Sequence, residues 1–238
     1  MPRSAAPGPD ATGNKLLASL PAEEFSRLLP YLEPVSHPAK TRLCEPDNPI
    51  RHVYFPTAGV ISLLALRASG GGIEAGMVGR EGFVGLPVFL GTDRSTGTSV
   101  VQLPLQAVRM SADNFRAVVP RDGSLHALLL RYTHFLLCQI SQSLACCASC
   151  AVEKRFCRWL LTVHDRAEND EFPLTHAFMA NMMGVRRASV SQVAAGLQQR
   201  GLIGYERGRL TVLNRSGLEV TACGCFEVVR NEWERLFG

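Results

Sequence analysis

This chain of 238 residues is informative first in what it lacks. No run of eighteen apolar residues occurs, so no transmembrane helix and no membrane partner is expected. The first fourteen residues hold Pro, Gly and Ala without an apolar segment, and read as a flexible tail, not a signal peptide. There is no Gly-x-Ser-x-Gly elbow, no Walker loop and no His-Glu-x-x-His, so the common hydrolase and nucleotidase signatures are missing. Cys157 and His164 are seven residues apart, too far along a helix to touch, and no enzyme is expected. Lys is scarce: the 25 basic residues include three Lys, so the basic character rests on Arg. Charged residues make up 19% against 46% hydrophobic, a globular balance and not a disordered one. Eight Cys without the spacing of a small disulfide framework point to a reducing cytoplasm and free thiols.

What is present changes texture along the chain. Leu16, Leu17, Leu20, Phe25, Leu28 and Leu29 are spaced for one buried helical face, with Pro21 opening a second helix at N1. From Val35 to about Met110, short apolar runs are separated by Gly, Pro, Asp and Asn: Val53–Phe55, Val60–Leu66, Gly82–Val84 and Ser99–Leu103. That pattern predicts many short antiparallel strands in a small sandwich or jelly-roll barrel. The glycines of Gly76-Met-Val-Gly-Arg-Glu-Gly-Phe-Val-Gly85 fit neither GxGxxG nor a P-loop and read as turns. Arg80 and Glu81 are a candidate charged pair lining a pocket.

A short helix is expected over Ser111–Val119, then a long one capped by Asp122 or Ser124. Leu125, Leu129, Tyr132, Leu136, Ile140 and Ser143 follow a three-or-four spacing along it. A long helix with a broad apolar face reads as a coiled-coil or interface helix; the competing reading is a core helix within one subunit. Cys146–Glu153 breaks the pattern and reads as a hinge. Val152–Arg166 then begins a second domain, Asn169–Pro173 is a loop, and Ser216–Phe237 is a closing helix.

The stretch Leu174–Leu197 carries the chemistry. It predicts two short helices around a tight turn, with Thr175 as N-cap and Gly184 ending the first helix. Val190, Val193, Ala194 and Leu197 form an inward stripe, while Arg187, Ser191 and Gln192 lie near the start of the opposite face. Such a helix-turn-helix presents the start of its second helix to base edges, where Arg pairs with guanine, Gln with adenine, and Ser with several partners. After Gly201, two short strands around Arg207-Gly208 make a β-hairpin wing. Between Phe172 and Gly217 six Arg face one acid, Glu206, more excess charge than the +4 of the whole chain. Double-stranded DNA is the expected partner. Arg187, Ser191 and Gln192 are assigned to bases, and Arg186, Ser189, Arg207 and Arg209 to phosphates.

Leu174-Thr175, Gly184-Val-Arg-Arg187, Val190-Ser191, Leu197-Gln, Gly201-Leu-Ile203 and Tyr205-Glu-Arg-Gly208 resemble the Crp/Fnr superfamily of bacterial transcription regulators. In the N-terminal half Val53-Tyr-Phe-Pro56, Gly59 and Met77–Gly85 are similar to the same family's sensor domain. The resemblance spans nearly the whole chain. It implies an α+β fold: an N-terminal cyclic-nucleotide-binding-like β-roll, linked by a long dimerisation helix to a C-terminal winged helix-turn-helix. The divisions expected are a tail (1–14), a sensor domain (15–120), a dimerisation helix and hinge (121–149) and a DNA-binding domain (150–238). A promoter palindrome, a second copy of the chain, an unidentified small-molecule effector and RNA polymerase are the implied partners.

Two departures from the family pattern stand out. Gly82-Phe-Val-Gly85-Leu has Phe83 or Val84 where a Glu would hold a cyclic-nucleotide ribose, although Arg94-Ser95 follow at nearly the expected distance. A ribose hydroxyl left unpaired in a buried site costs affinity, so cyclic AMP is not the expected effector and no cofactor is assigned. The candidate effector pocket comprises Arg80, Glu81, Gly82, Phe83, Arg94 and Ser95. Ala188 stands where many relatives carry a Glu that accepts from cytosine, so a different DNA site is expected. Cys146, Cys147 and Cys150 form a CCxxC, and Cys223 and Cys225 a CxC. Small buried apolar residues explain these; no metal is assigned, and Cys146, Cys147 and Cys150 are its only candidates. They sustain one alternative function, a thiol-based metal, iron–sulfur or redox sensor with secondary DNA binding.

Overall fold

The computed structural model describes residues 12–68 and 70–238. Most of the expected tail lies outside these, but its end does not behave as a tail. Asn14 is fully buried. Its side-chain oxygen accepts from the N–H groups of Leu16 and Leu17, capping helix α1 (Lys15–Ala18). Its amide donates to the carbonyls of Pro56, Arg80 and Gly82, tying the chain's start to the following sheet. Helix α2 (Ala22–Leu28) follows, with Pro21 as its N-cap and so one position earlier than expected.

Five antiparallel strands form the N-terminal sheet: β1 (Glu33–His37), β2 (Arg42–Cys44), β3 (His52–Leu66), β4 (Gly72–Val78) and β5 (Thr98–Ser111). Their order is β1-β5-β3-β4, with β2 also on β5. The strands are fewer and longer than the sequence suggested, because Val53–Phe55 and Val60–Leu66 are two ends of one strand. From Pro56 to Ile61 the register with β5 slips three times. There Gly59 has φ +87°, and a Cβ would collide with the Pro104 carbonyl. Bulges bend a strand and increase its twist, and this run of them curls the sheet into a roll. Gly82–Val84 is no strand and adds only an isolated bridge from Val84 to Tyr54. Inside the roll Phe83 packs on Phe55 and Phe115, with ring centroids 5.0 and 5.4 Å apart. A short helix α3 (Leu86–Phe89) precedes β5, and α4 (Ala112–Val118), capped by the Ser111 hydroxyl, follows it.

The long helix α5 (Ser124–Ser149) is capped neither by Asp122 nor by the Ser124 side chain. Gly123 is the N-cap, and Glu24 of α2 accepts from the N–H groups of Ser124 and Leu125 at 2.9 and 2.8 Å. A carboxylate there satisfies two orphan donors and suits the positive end of the helix dipole. The apolar stripe expected to face a partner is mostly core: Leu125, Leu129, Tyr132, Leu136 and Ser143 are buried within the single chain. A second stripe remains. Leu130, Leu137 and Leu144 are exposed at seven-residue intervals, by 53, 57 and 73%. Thr133 and Ile140 lie between them, and Cys147 continues the spacing past Leu144.

The helix breaks at Cys150–Ala151, and α6 (Val152–Ala167) begins the C-terminal half. Then come β6 (Glu171–Phe172), α7 (His176–Met183), α8 (Arg187–Gln199), β7 (Ile203–Glu206), β8 (Arg209–Val212), α9 (Arg215–Thr221) and α10 (Cys225–Phe237). The expected 169–173 loop supplies β6, which pairs with β8 to make a three-stranded wing sheet. The expected single closing helix is two, because Ala222-Cys-Gly224 interrupts it. Helix α10 turns back along α5, with Trp233 edge-on to Phe135 at 5.0 Å and Glu232 at 2.8 Å from His134.

The two halves are bonded directly. Trp159 of α6 donates its indole N–H to Glu74 of β4 at 2.7 Å. Arg80 pairs with Glu168, and Glu81 with Arg166 at 2.8 Å, the latter pair nearly buried. Removing one member of such a buried pair leaves a bare charge and costs about 3–5 kcal/mol. Burial raises the Glu74 carboxyl to about 7, against the opposing pull of Trp159, Arg158 and Arg166.

Candidate nucleic-acid interface

The interface is built on the turn between α7 and α8. The Thr175 hydroxyl accepts from Phe178 N–H at 3.2 Å and starts α7. Met179, Met182 and Met183 are buried beneath it. Gly184 ends the helix in the left-handed region, at φ +65°. A Cβ here would also lie 2.8 Å from Ile73 Cδ1, so the turn sits against β4 of the roll. On α8, Val190, Ala194 and Leu197 are fully buried and hold its inner face.

The outer face carries the chemistry. Arg186 and Arg187 are exposed and enter no ion pair among the described residues, and Gln192 is exposed one turn further on. The first turn of α8 has no acid and no side-chain cap, so its free N–H groups add to a surface suited to anions. Ser189 is half-buried. Ser191 is also half-buried, and its hydroxyl shares a 2.9 Å hydrogen bond with His176 Nδ1. The His176 ring stacks on Tyr205 of β7, centroids 4.1 Å apart. Burial, then the neighbouring Arg187, hold the His176 pKa below its ordinary value. This His–Tyr stack orients Ser191 and joins α7, α8 and the wing. Sequence reading missed it, although His176 follows the cap and Tyr205 opens the wing.

At the wing tip Arg207 and Gly208 both have positive φ, +48° and +81°, as a type I′ hairpin turn requires. The Arg207 side chain is 91% exposed. It lies 3.5 Å from the Glu206 carboxylate, and the other arginines of the region are engaged more closely. Arg209 pairs with Glu171, Arg200 with Glu153, and Arg215 with Asp165 and Glu219. The unpaired positive charge of the counted stretch is therefore at Arg186 and Arg187, with Arg207 exposed at the wing tip beside Glu206.

The six candidate effector residues do not converge. Arg80 and Glu81 line a cavity of about 260 Å³ between the two halves, without pairing to each other. Its walls also include Arg158 and Arg166 of α6, Phe226 and Trp233 of α10, and Phe135 of α5. Phe83 is core, and Gly82 backs onto Tyr132. Arg94 donates instead to the Asp47 carbonyl at 2.9 Å, and Ser95 accepts from Gly97 N–H in the same loop region. Of the three cysteines weighed for metal, Cys146 and Cys150 converge, whereas Cys147 is exposed and meets Arg155. Cys223 and Cys225 complete the group.

A curled antiparallel roll, a long helix and a winged helix-turn-helix with a cationic outer face make up a Crp/Fnr-type transcription-regulator fold. Residues 154–221 match the Crp-like helix-turn-helix domain. Among solved structures, the chain is similar to a Crp/Fnr-family transcriptional regulator from Eubacterium rectale, with TM-score 0.68 at 15% identity, covering 87% of this chain and 96% of that one. It is also similar to FixK2 from Bradyrhizobium japonicum, with TM-score 0.68, 15% identity, and 81% and 98% covered. The c-di-GMP-responsive global regulator CLP of Xanthomonas campestris gives 0.63, 18%, and 81% and 99%. No curated protein matches the chain. At these identities the likeness is one of fold. No helix among the described residues is long and apolar enough to cross a membrane.

Proposed function

We propose that the protein is a homodimeric, sequence-specific DNA-binding transcription regulator acting in the cytoplasm, whose DNA binding responds to a small molecule. The observation that carries this reading is the pair of unpaired arginines, Arg186 and Arg187, at the exposed start of α8 beside the Arg207 wing tip. Arg187 and Gln192 read bases, Ser191 does so in the orientation His176 sets, and Arg186, Ser189 and Arg207 meet phosphates. Arg209 reaches a phosphate only by leaving Glu171. RNA polymerase is the downstream partner, and no catalysis is assigned.

Self-association is supported by α5. Leu130, Thr133, Leu137, Ile140, Leu144 and Cys147 alternate three and four residues apart, the spacing of a coiled-coil seam. Pairing there brings two α8 helices to half-sites about one helical turn apart. The signal is assigned to the cavity between the halves. Arg80, Gln139 and Arg158 on its walls each carry a buried donor without a partner, beside aromatic rings. That lining suits an anionic molecule with an apolar part. A ligand touching both halves shifts their arrangement by whatever difference in affinity it has for the two states.

Selection of bound sequences from a random duplex pool at fixed salt tests the central reading. A palindromic consensus is expected. Arg187→Ala should relax one position of it, whereas Arg207→Ala should weaken binding on all sequences alike and lower the salt slope by about 1. Uniform loss for Arg187→Ala would refute its assignment to a base.

A further inference from the structure

The two cysteine runs are separated in the chain but end at one point. The last turn of α5 presents Cys146, and Cys150, the C-cap just past it, is held beside it by its N–H donating to the Cys146 carbonyl at 3.0 Å. The break between α9 and α10 presents Cys223 and Cys225. All four Sγ atoms lie within 4.8 Å of one another, and those of Cys146 and Cys223 are 3.3 Å apart. All four are free thiols. Cys146 and Cys223 are buried, and Cys150 and Cys225 half-buried. Cys147, adjacent in sequence, points to solvent.

Packing alone does not ask for this. A buried thiol fills space as a small apolar group and gains nothing special from three others. A tetrahedral ion does ask for it: metal–sulfur bonds of about 2.3 Å hold four thiolates about 3.8 Å apart, close to the spacing found. An iron–sulfur cluster interposes sulfide-bridged irons and spreads its thiolates wider. An all-sulfur tetrahedral set selects a soft or borderline ion over magnesium or calcium.

We propose that Cys146, Cys150, Cys223 and Cys225 bind a single thiophilic divalent ion, zinc in the first instance, as a closed four-thiolate site. On binding, each thiol gives its proton to solvent and forms a sulfur–metal bond, with no change of oxidation state. With four protein ligands no position is left for water or substrate, so the ion is structural. It fastens the end of α5 to the corner between α9 and α10, across the break at Cys150–Ala151. That holds the C-terminal half against the long helix, a tie separate from the Trp159–Glu74 hydrogen bond. The inference stands whether or not α8 reads DNA.

The full-length chain, purified under anaerobic reducing conditions without a metal-affinity step, is the sample. Elemental analysis should find one zinc per chain, and exchange for cobalt(II) should give the sulfur-to-cobalt charge-transfer bands of a tetrahedral thiolate site. Cys146→Ser and Cys223→Ser should abolish both. Because those sites are buried, Cys225→Ser, half-buried, serves as the variant whose fold is checked by circular dichroism. It should stay folded and lose the ion, while Cys147→Ser retains it. A wild-type chain that binds neither zinc nor cobalt would overturn the proposal. So would several irons with acid-labile sulfide, a Cys146–Cys223 disulfide in place of the ion, or equal loss in Cys147→Ser and Cys225→Ser.

Discussion

Replacing Glu74 by Gln should remove a specific pH dependence of stability. In the folded chain burial raises this carboxyl to about 7, whereas exposed in the unfolded chain it titrates at the ordinary 4.5. Between those values the folded state holds a proton that the unfolded state has released. Stability therefore falls as pH rises through that window, and the full cost is present above 7. The separation of about 2.5 units corresponds to roughly 3 kcal/mol, of which about 2.5 kcal/mol lies between about pH 5 and about pH 8. Glu74→Gln keeps an oxygen for the Trp159 indole and titrates nowhere in the range. Urea unfolding of both proteins at the two pH values gives the difference directly. His52 and His176, whose pKa values burial lowers, act with the opposite sign but are common to both proteins and cancel. The same pH dependence in the variant as in the wild type would refute the reasoning.

Further outcomes follow from single contacts. Leu137→Glu, at a position 57% exposed in the protomer, should leave the fold intact and convert a dimer to a monomer by sedimentation velocity; an unchanged dimer would place the seam elsewhere. Gly184→Ala puts a Cβ at φ +65° and against Ile73, and should cost about 1–2 kcal/mol in urea unfolding. Glu24→Ala removes the acceptor for the first two N–H groups of α5 and should cost about 1 kcal/mol, with Glu24→Gln recovering much of it in thermal melts.

Local chemistry was legible in the sequence. Thr175, Gly184 and the Arg207-Gly208 turn act within a few residues of themselves, and each forms the cap or turn expected there. What failed was long-range. The cap on α5 comes from Glu24, about a hundred residues earlier, so no local pattern points to it. Three-and-four spacing describes a buried core stripe and an exposed apolar stripe equally, and the two run side by side on α5 with Ile140 shared. Nothing in CCxxC or CxC says that they meet. Counting arginines likewise overstated the free charge, because Glu153, Asp165 and Glu171, the partners of Arg200, Arg215 and Arg209, lie outside the counted stretch.

Helix α5 also sets a scale of motion. Its 26 residues rise about 39 Å, from the Glu24 carboxylate to the four thiols. Over that lever a tilt of about 5° sweeps the far end through about 3.4 Å, which is the axial step between neighbouring bases on one DNA strand. A tilt of that size would carry α8 one base step along DNA only once the direct bonds between the halves, such as Trp159–Glu74 and Arg166–Glu81, gave way.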